Sequence, residues 1–152
     1  MMISRMTACL CLAAVVGCGG AGDYPDMGEI SGTVTMDGKP LPDALVTFTP
    51  TGSRPSSGVT DENGFYELIY SAQVKGAKSG EHVVSISTYL PPGPGDDGMF
   101  SEGTPETVPV QYNSKSVLIR KVTGNETMNF ELESSGEIDT HEEDKEISEE
   151  DF

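Results

Sequence analysis

The chain has 152 residues, of which 25 are acidic and 9 are basic, giving a formal net charge of −16. This charge opposes binding to nucleic acid and electrostatic adhesion to anionic lipid, because both carry dense negative charge. The length suits one domain with a modest hydrophobic core. All three cysteines lie within the first eighteen positions, so the rest of the chain has no thiol for a disulfide or a cysteine-based metal site.

The first twenty residues have the composition of a secretory signal. Arg5 precedes the unbroken apolar run 8–16, and small residues follow. A charged start, an apolar centre and a small-residue cleavage site are typical of a signal peptide. The run is far shorter than the ~20 apolar residues that span a bilayer. We therefore expect residues 1–17 to be a signal peptide.

The end of that segment, Val15-Val16-Gly17-Cys18, resembles the lipobox of bacterial lipoproteins. The resemblance implies cleavage between Gly17 and Cys18 and attachment of a diacylglycerol to the Cys18 sulfur, with further acylation by a fatty acid such as palmitate. Two or three acyl chains hold a protein durably on a membrane. Gly19, not aspartate, follows the cysteine, and in this the sequence resembles the outer-membrane lipoproteins of enteric bacteria. The resemblance implies the outer membrane or the cell surface, not the inner membrane.

The next segments predict a tether followed by strands. Residues 18–28 are Gly-rich and polar, which is typical of a flexible tether. From Glu29 onward apolar and polar residues alternate with a period of two, as in half-buried strands. Asp37-Gly38 and Asp61–Gly64 are turn sequences. The predicted strands lie within 29–36, 44–50, 58–60, 65–71, 82–88, 116–123 and 127–133.

Short strands separated by frequent turns predict an all-β fold for residues 29–133, namely a seven-stranded antiparallel Greek-key sandwich. Arg120 stands in phase with Leu118 and Val122, where the alternation calls for an apolar side chain. This predicts a strand near a sheet edge, from which Arg120 reaches water. The residues predicted to be central to the core are Phe48, Leu68, Val84, Ile86, Phe130 and Leu132.

Five sequence blocks within 29–133 carry a second resemblance. They are ISGTVTMDGKPLPDALVTFTP, SGVTDENGFYEL, SGEHVVSIS, QYNSKS and NFEL. In order and spacing they resemble the carboxypeptidase regulatory-like domain, a transthyretin-like sandwich frequently found in bacterial lipoproteins. The resemblance implies a fold and a location, and it supplies no common catalytic residue.

Few residues suggest a chemical site. Asp61–Gly64 is similar to the start of a calcium-binding EF-hand loop, but its twelfth position is Ala72 instead of glutamate; we interpret it as a turn. His82 and His141 are too few and too far apart for a zinc site, and no Gly-x-Ser-x-Gly motif is present. Asn125-Glu126-Thr127 matches a glycosylation sequon and is interpreted as a turn. We predict no catalytic residue, no metal and no cofactor.

Two acidic segments are predicted to be disordered. The loop 91–107 contains four acidic residues, no basic residue and no recognisable element. The segment 134–152 contains nine acidic residues and one lysine, a composition typical of a solvated tail.

These features predict a non-catalytic, lipid-anchored protein of the cell envelope that acts as a binding or structural module. Its predicted partners are the membrane, through Cys18, and an envelope protein or polysaccharide, but no nucleic acid. One alternative is a carbohydrate-binding accessory module, favoured if tyrosines line an exposed strip; the candidates are Tyr66, Tyr70, Tyr89 and Tyr112. Another is an enzyme of unrecognised type, favoured by a pocket that joins His82 with two carboxylates.

Overall fold

The computed structural model describes residues 26–95 and 98–140. The predicted signal peptide, the Gly17–Cys18 cleavage site and the lipidation site therefore lie outside the described residues, as do tether residues 18–25, His141 and the rest of the tail. The described strands are β1 (Met27–Gly28), β2 (Ile30–Met36), β3 (Lys39–Pro40), β4 (Leu45–Pro50), β5 (Ser56–Val59), β6 (Phe65–Glu67), β7 (Ile69–Ser71), β8 (Val74–Lys75), β9 (Ala77–Lys78), β10 (Gly80–Ser87), β11 (Gly93–Pro94), β12 (Phe100–Ser101), β13 (Leu118–Val122), β14 (Glu126–Thr127) and β15 (Phe130–Leu132). A short 3-10 helix, Val110–Tyr112, precedes β13.

The fold is all-β, and its two larger sheets pack together like a sandwich. The first has six strands in the order β13-β10-β4-β5-β7-β8, and its neighbouring strands are antiparallel. The second is built around β2, which pairs with β3, β6, β14 and β15. Two-residue strands form the separate pairs β1–β9 and β11–β12. The predicted all-β class is confirmed.

The prediction of a purely antiparallel fold is wrong for the last two strands. β14 and β15 run parallel to β2, because the chain leaves β13 in the first sheet and crosses to the second. Two asparagine side chains support this pairing: Oδ1 of Asn125 accepts a hydrogen bond from the Glu29 N–H at 2.9 Å, and Oδ1 of Asn129 accepts one from the Thr33 N–H at 3.0 Å.

Glycine is required where β2 passes the segment between β14 and β15. A Cβ atom on Gly32 would lie 1.9 Å from the carbonyl oxygen of Met128. The same oxygen accepts a hydrogen bond of 2.7 Å from the hydroxyl of Tyr66. Because glycine has no side chain, the backbone at Gly32 can lie close to the backbone at Met128. The hydrogen bond from the buried Tyr66 hydroxyl then stabilises this arrangement.

The segment 65–71 looks like one strand in the sequence, but it divides between the two sheets. β6 pairs with β2 in the second sheet, whereas β7 pairs with β5 in the first. Leu68 lies at the crossing point, is fully buried, and donates its N–H to the carbonyl of Ile30 at 2.9 Å. A segment in which apolar and polar residues alternate without interruption can therefore form two strands that pair in different sheets.

The core lies between the two sheets. All six residues predicted to be central to it are at most 3% exposed. Phe48 comes from the first sheet and Phe130 from the second, and their ring centroids are 6.2 Å apart in an edge-on arrangement. This contact joins the two layers and confirms the predicted core.

Arg120 lies where the interrupted alternation predicted it, since β13 is an edge strand of the first sheet. Its guanidinium carbon lies 5.0 Å from the centre of the Phe130 ring, and Nη1 donates to the carbonyl of Ile119 at 2.9 Å. The guanidinium thus packs on an aromatic ring of the core, while Arg120 as a whole residue is half-exposed.

Both predicted turns are present. Asp37 and Gly38 have φ angles of 50° and 77°, as a two-residue hairpin between β2 and β3 requires. At the second turn, Oδ1 of Asp61 accepts hydrogen bonds from the N–H groups of Asn63 and Phe65. The Asp61 carboxylate therefore stabilises a turn, which confirms the interpretation of this sequence.

Parts of the segments predicted to be disordered lie against the domain. In the loop 91–107, β11 pairs with β12, and Leu90 and Thr104 form a bridge just outside that pair. In the tail, the N–H of Val110 donates to the carbonyl of Glu137 at 2.8 Å, and the carboxylate of Glu137 lies 3.4 Å from Lys115. The described part of the tail thus contacts the domain as far as Glu137, through a backbone hydrogen bond and an ion pair.

The predicted tether, residues 18–28, ends in a strand. Its last two residues, Met27–Gly28, form β1 and pair with Ala77–Lys78. Among the described residues, no helix is long and apolar enough to cross a membrane.

Candidate functional site: a groove at the end of the first sheet

The outer face of the first sheet exposes several large aliphatic side chains. Strand alternation turns Val46 and Val84 into the core and their neighbours Leu45 and Val83 toward solvent. The exposed fractions are 44% for Leu45, 60% for Val59, 46% for Val83 and 54% for Ile119. Single exposed aliphatic side chains are common on protein surfaces, so this face alone does not mark a contact surface.

A groove of about 640 Å³ adjoins this face at one end of the sheet. β4 begins there while β5 and β10 end there, so that Ser87, Leu45 and Val59 form a row across three paired strands. The remaining walls come from the segment 41–43, from residues 88–90 and, within the loop 91–107, from Thr104 and Thr107. The apolar lining consists of Leu41, Pro42, Leu45, Val59 and Leu90, with Tyr89 beside them.

The polar lining contains one carboxylate, that of Asp43, and the hydroxyl residues Ser87, Thr88, Thr104 and Thr107. Asp43 has a φ angle of 55°, a conformation that aspartate tolerates better than most residues. Its N–H donates to the carbonyl of Thr60 at 3.1 Å. The backbone thus fixes where the exposed Asp43 carboxylate stands.

A buried carboxylate behind the groove attaches the long loop to the sheet. Glu106 is 7% exposed. Its Oε1 accepts hydrogen bonds from the N–H and the hydroxyl of Thr88, both at 2.9 Å, and from the N–H of Thr107 and of Val108 at 3.0 and 2.9 Å. Its Oε2 accepts the hydroxyl of Ser87 at 2.5 Å. Loop residues 106–108 are thereby bound to the end of β10, which holds the wall of the groove in place.

These hydrogen bonds also determine the charge of Glu106. Burial raises the pKa of the carboxyl group, because it disfavours the charged form. Hydrogen bonds from Ser87, Thr88 and Val108 act in the opposite direction and outweigh burial, so the pKa lies below its usual value of 4.5. Glu106 is therefore ionised at neutral pH and serves as a structural anion inside the fold.

A smaller and more polar pocket of about 260 Å³ lies beside β2. Its lining includes Glu29, Glu67 and Glu126, but two of these carboxylates have partners. Glu67 pairs with Lys75 at 3.3 Å, and Glu126 accepts the N–H of Thr123 at 3.0 Å. Among the described residues, no group of three or more histidine, cysteine, aspartate or glutamate side chains has the arrangement of a metal site.

The other residues considered in the sequence have structural surroundings. His82 is 1% exposed, packs 5.7 Å from the Phe48 ring, and places Nε2 2.7 Å from the carbonyl of Lys78. It is therefore a core residue, not part of the pocket with two carboxylates that would favour an enzyme. Asn125 of the sequon uses its side chain to accept the Glu29 N–H, which fits its interpretation as a turn residue.

The tyrosines do not form one exposed strip. Tyr66 is buried in the core, and Tyr70 lies under the guanidinium of Arg54 at 5.1 Å. Tyr112 packs against the core, and its hydroxyl accepts the N–H of Glu133 at 3.3 Å. Of the four, Tyr89 alone lines the groove. The arrangement that would favour a carbohydrate-binding module is thus not present among them.

Sequence reasoning missed both Glu106 and Asp43. The partners of Glu106 on β10 lie 18 and 19 positions earlier in the chain, a distance over which no periodicity operates. Asp43 carries a weak signal, because it follows Pro42 and precedes a strand, a position typical of a turn.

Comparisons with known proteins yield only distant structural similarity. No family model matches the chain, and no curated protein matches it. The major pilin subunit BcpA of Bacillus cereus is 16% identical over 73% of this chain and 31% of its own, with a TM-score of 0.44. A DUF3823 family protein from Parabacteroides merdae is 14% identical over 72% of this chain and 47% of its own, with a TM-score of 0.39.

A third solved structure, a 9R-lipoxygenase from Cyanothece, is 21% identical over 74% of this chain and 17% of its own, with a TM-score of 0.39. The chain thus spans less than half the length of each of these three proteins.

Proposed function

We propose that this chain is a non-catalytic binding module of the cell envelope, anchored by lipid at Cys18, whose β-sandwich presents the groove to a partner. The observation that carries the proposal is the groove itself. Its wall is fixed by the hydrogen bonds of Glu106, and its lining leaves Leu45, Val59 and Leu90 between 44% and 60% exposed. Such a surface needs no rearrangement before it binds, and this lowers the entropic cost of association.

The sequence before the domain supports the location. Gly17-Cys18 matches the cleavage and lipidation positions of the lipobox that this segment resembles, and residues 19–26 would separate the lipid from the first strand. An extended chain covers at most about 3.3–3.6 Å per residue, so a tether of this length keeps the domain close to the membrane. The charge of −16 then disfavours direct contact of the domain with anionic headgroups.

Replacement of Cys18 by serine tests the anchor. We expect wild-type cells to incorporate alkyne-labelled palmitate into the protein, because the thiol is the acceptor of the lipid. Cys18→Ser should abolish the label and leave an unprocessed precursor, measured by in-gel fluorescence and by the mass of the chain. Cys11→Ser is the matched control and should keep the label. Labelling that persists in Cys18→Ser would contradict lipid anchoring at this residue.

A further inference from the structure

The chemistry of the groove selects a class of ligand, and this inference rests on the proposed binding function. Leu45 and Val59 are paired across β4 and β5, so their side chains stand side by side on one wall. Leu90, which is 56% exposed and directly precedes the loop 91–107, also lines the groove. Branched aliphatic side chains form an irregular apolar surface on which an aliphatic side chain of a peptide can serve as the buried anchor.

The acidic residues around the groove favour a ligand of positive charge. Asp43 is the one charged residue among the described residues that line it. An adjoining pocket shares Tyr89, Leu90 and Thr104 with the groove and adds Glu102. Both carboxylates belong to a chain with a net charge of −16, so that complementary potentials favour a cationic partner.

We infer that the groove binds an extended, basic segment of a partner protein, with aliphatic side chains against Leu45, Val59 and Leu90 and a lysine or arginine at Asp43. Successive side chains of an extended peptide point to opposite faces. A segment that alternates leucine and lysine can therefore place its leucines in the groove and its lysines toward the rim. The segment 141–152 of this chain is acidic, like the groove, and the repulsion between like charges disfavours it as the occupant.

Calorimetric titration of the full-length protein tests this inference with two probes, the capped peptides Leu-Lys-Leu-Lys-Leu and Leu-Glu-Leu-Glu-Leu. The lysine peptide should bind at least about tenfold more tightly, because like charges at an interface are unfavourable. Asp43→Asn should weaken its binding about two- to fivefold, the effect of an exposed ion pair. Asparagine also tolerates a positive φ, so the variant keeps the local backbone.

Two matched variants separate the groove from the rest of the surface. Val59→Thr replaces one methyl group in the groove with a hydroxyl group and should weaken binding about fourfold. Val83→Thr makes the same change on the outer face of the sheet, away from the groove. Asp37→Asn makes the same change as Asp43→Asn, at the other aspartate that has a positive φ angle. Both variants should bind the lysine peptide as tightly as the wild type does. A variant that ends at residue 140 should bind the lysine peptide no more tightly than the wild type does.

Preference for the glutamate peptide, or equal losses in Val59→Thr and Val83→Thr, would overturn the inference. So would tighter binding by the variant that ends at residue 140, since this would assign the groove to the chain's own tail. Each of these results concerns the ligand class, whereas the anchoring half of the proposed function is decided independently by the labelling of Cys18.

Discussion

Replacement of Glu106 by alanine is expected to lower the free energy of unfolding by about 2–5 kcal/mol. The carboxylate accepts the N–H groups of Thr88 and Val108, and the alanine variant leaves both donors without it in a buried environment. Each buried donor that loses its partner costs about 1–3 kcal/mol. The loop would also lose its attachment to β10, so the groove wall should loosen. Chemical denaturation of the full-length protein measures the first effect, and amide exchange at Thr88 and Val108 measures the second.

The controls for Glu106 distinguish its position from its charge. Glu102→Ala removes an exposed carboxylate from the same loop and should change stability by less than about 0.5 kcal/mol. Glu106→Gln keeps an acceptor oxygen and should lose about 1 kcal/mol, because hydrogen bonds to a neutral acceptor are weaker than those to a charged one. A Glu106→Ala variant as stable as Glu102→Ala would contradict the anchoring role.

The same residue predicts a pH dependence. Because the pKa of Glu106 is lowered in the folded state, its ionised form stabilises the fold. This contribution is fully present above the usual value of 4.5 and is lost as the pH falls through the lower folded pKa. The stability difference between wild type and Glu106→Gln should therefore shrink on acidification. A difference that grows at acidic pH would have the wrong sign.

Truncation of Phe48 to alanine is expected to cost about 3–5 kcal/mol, the usual loss for a buried phenylalanine. Phe48 is fully buried, and its ring contacts both Phe130 in the facing sheet and His82 on the neighbouring strand. This loss is a large share of the ~5–15 kcal/mol that stabilises a typical domain.

The matched control is Phe100→Ala, since Phe100 is 63% exposed and its truncation should cost less than about 1 kcal/mol. Phe48→Leu keeps most of the buried volume and should fall between the two. Thermal and denaturant unfolding of the three variants should rank them in this order. Equal losses for Phe48→Ala and Phe100→Ala would contradict the position of Phe48 at the contact between the sheets.

The sequence predicted the inward faces of the strands because burial on a sheet has a period of two, which one strand displays by itself. Val46 and Phe48 are buried and Leu45 is exposed, as that period requires. Arg120 was informative for the same reason, because a charge in an apolar phase is tolerated at a sheet edge. What one strand does not encode is its partner. The division of 65–71 at Leu68 and the parallel pairing of β15 therefore became visible only in the structure.

The groove depends on contacts between distant segments and has no sequence signature of its own. Its walls come from 41–45, from Val59, from 87–90 and from the C-terminal part of the loop 91–107. Glu106 looked like one more acidic residue of a loop rich in proline and glycine. Its role arises from Ser87 and Thr88, whose donors are brought to it by the fold. The prediction of disorder for this loop rested on its composition. Composition does not report hydrogen bonds between residues that are distant in the sequence.

Photo-crosslinking in intact cells tests the central claim most directly, namely that the groove is the surface that contacts a partner at the envelope. Benzoylphenylalanine is placed in the full-length protein at position 59 in the groove or at position 83 on the outer face, two exposed valines of the same sheet. We expect a discrete crosslinked product from position 59 that is absent from position 83 and that is lost when Glu106→Ala is added. Equal products from both positions, or none from position 59 while position 83 reacts, would contradict it.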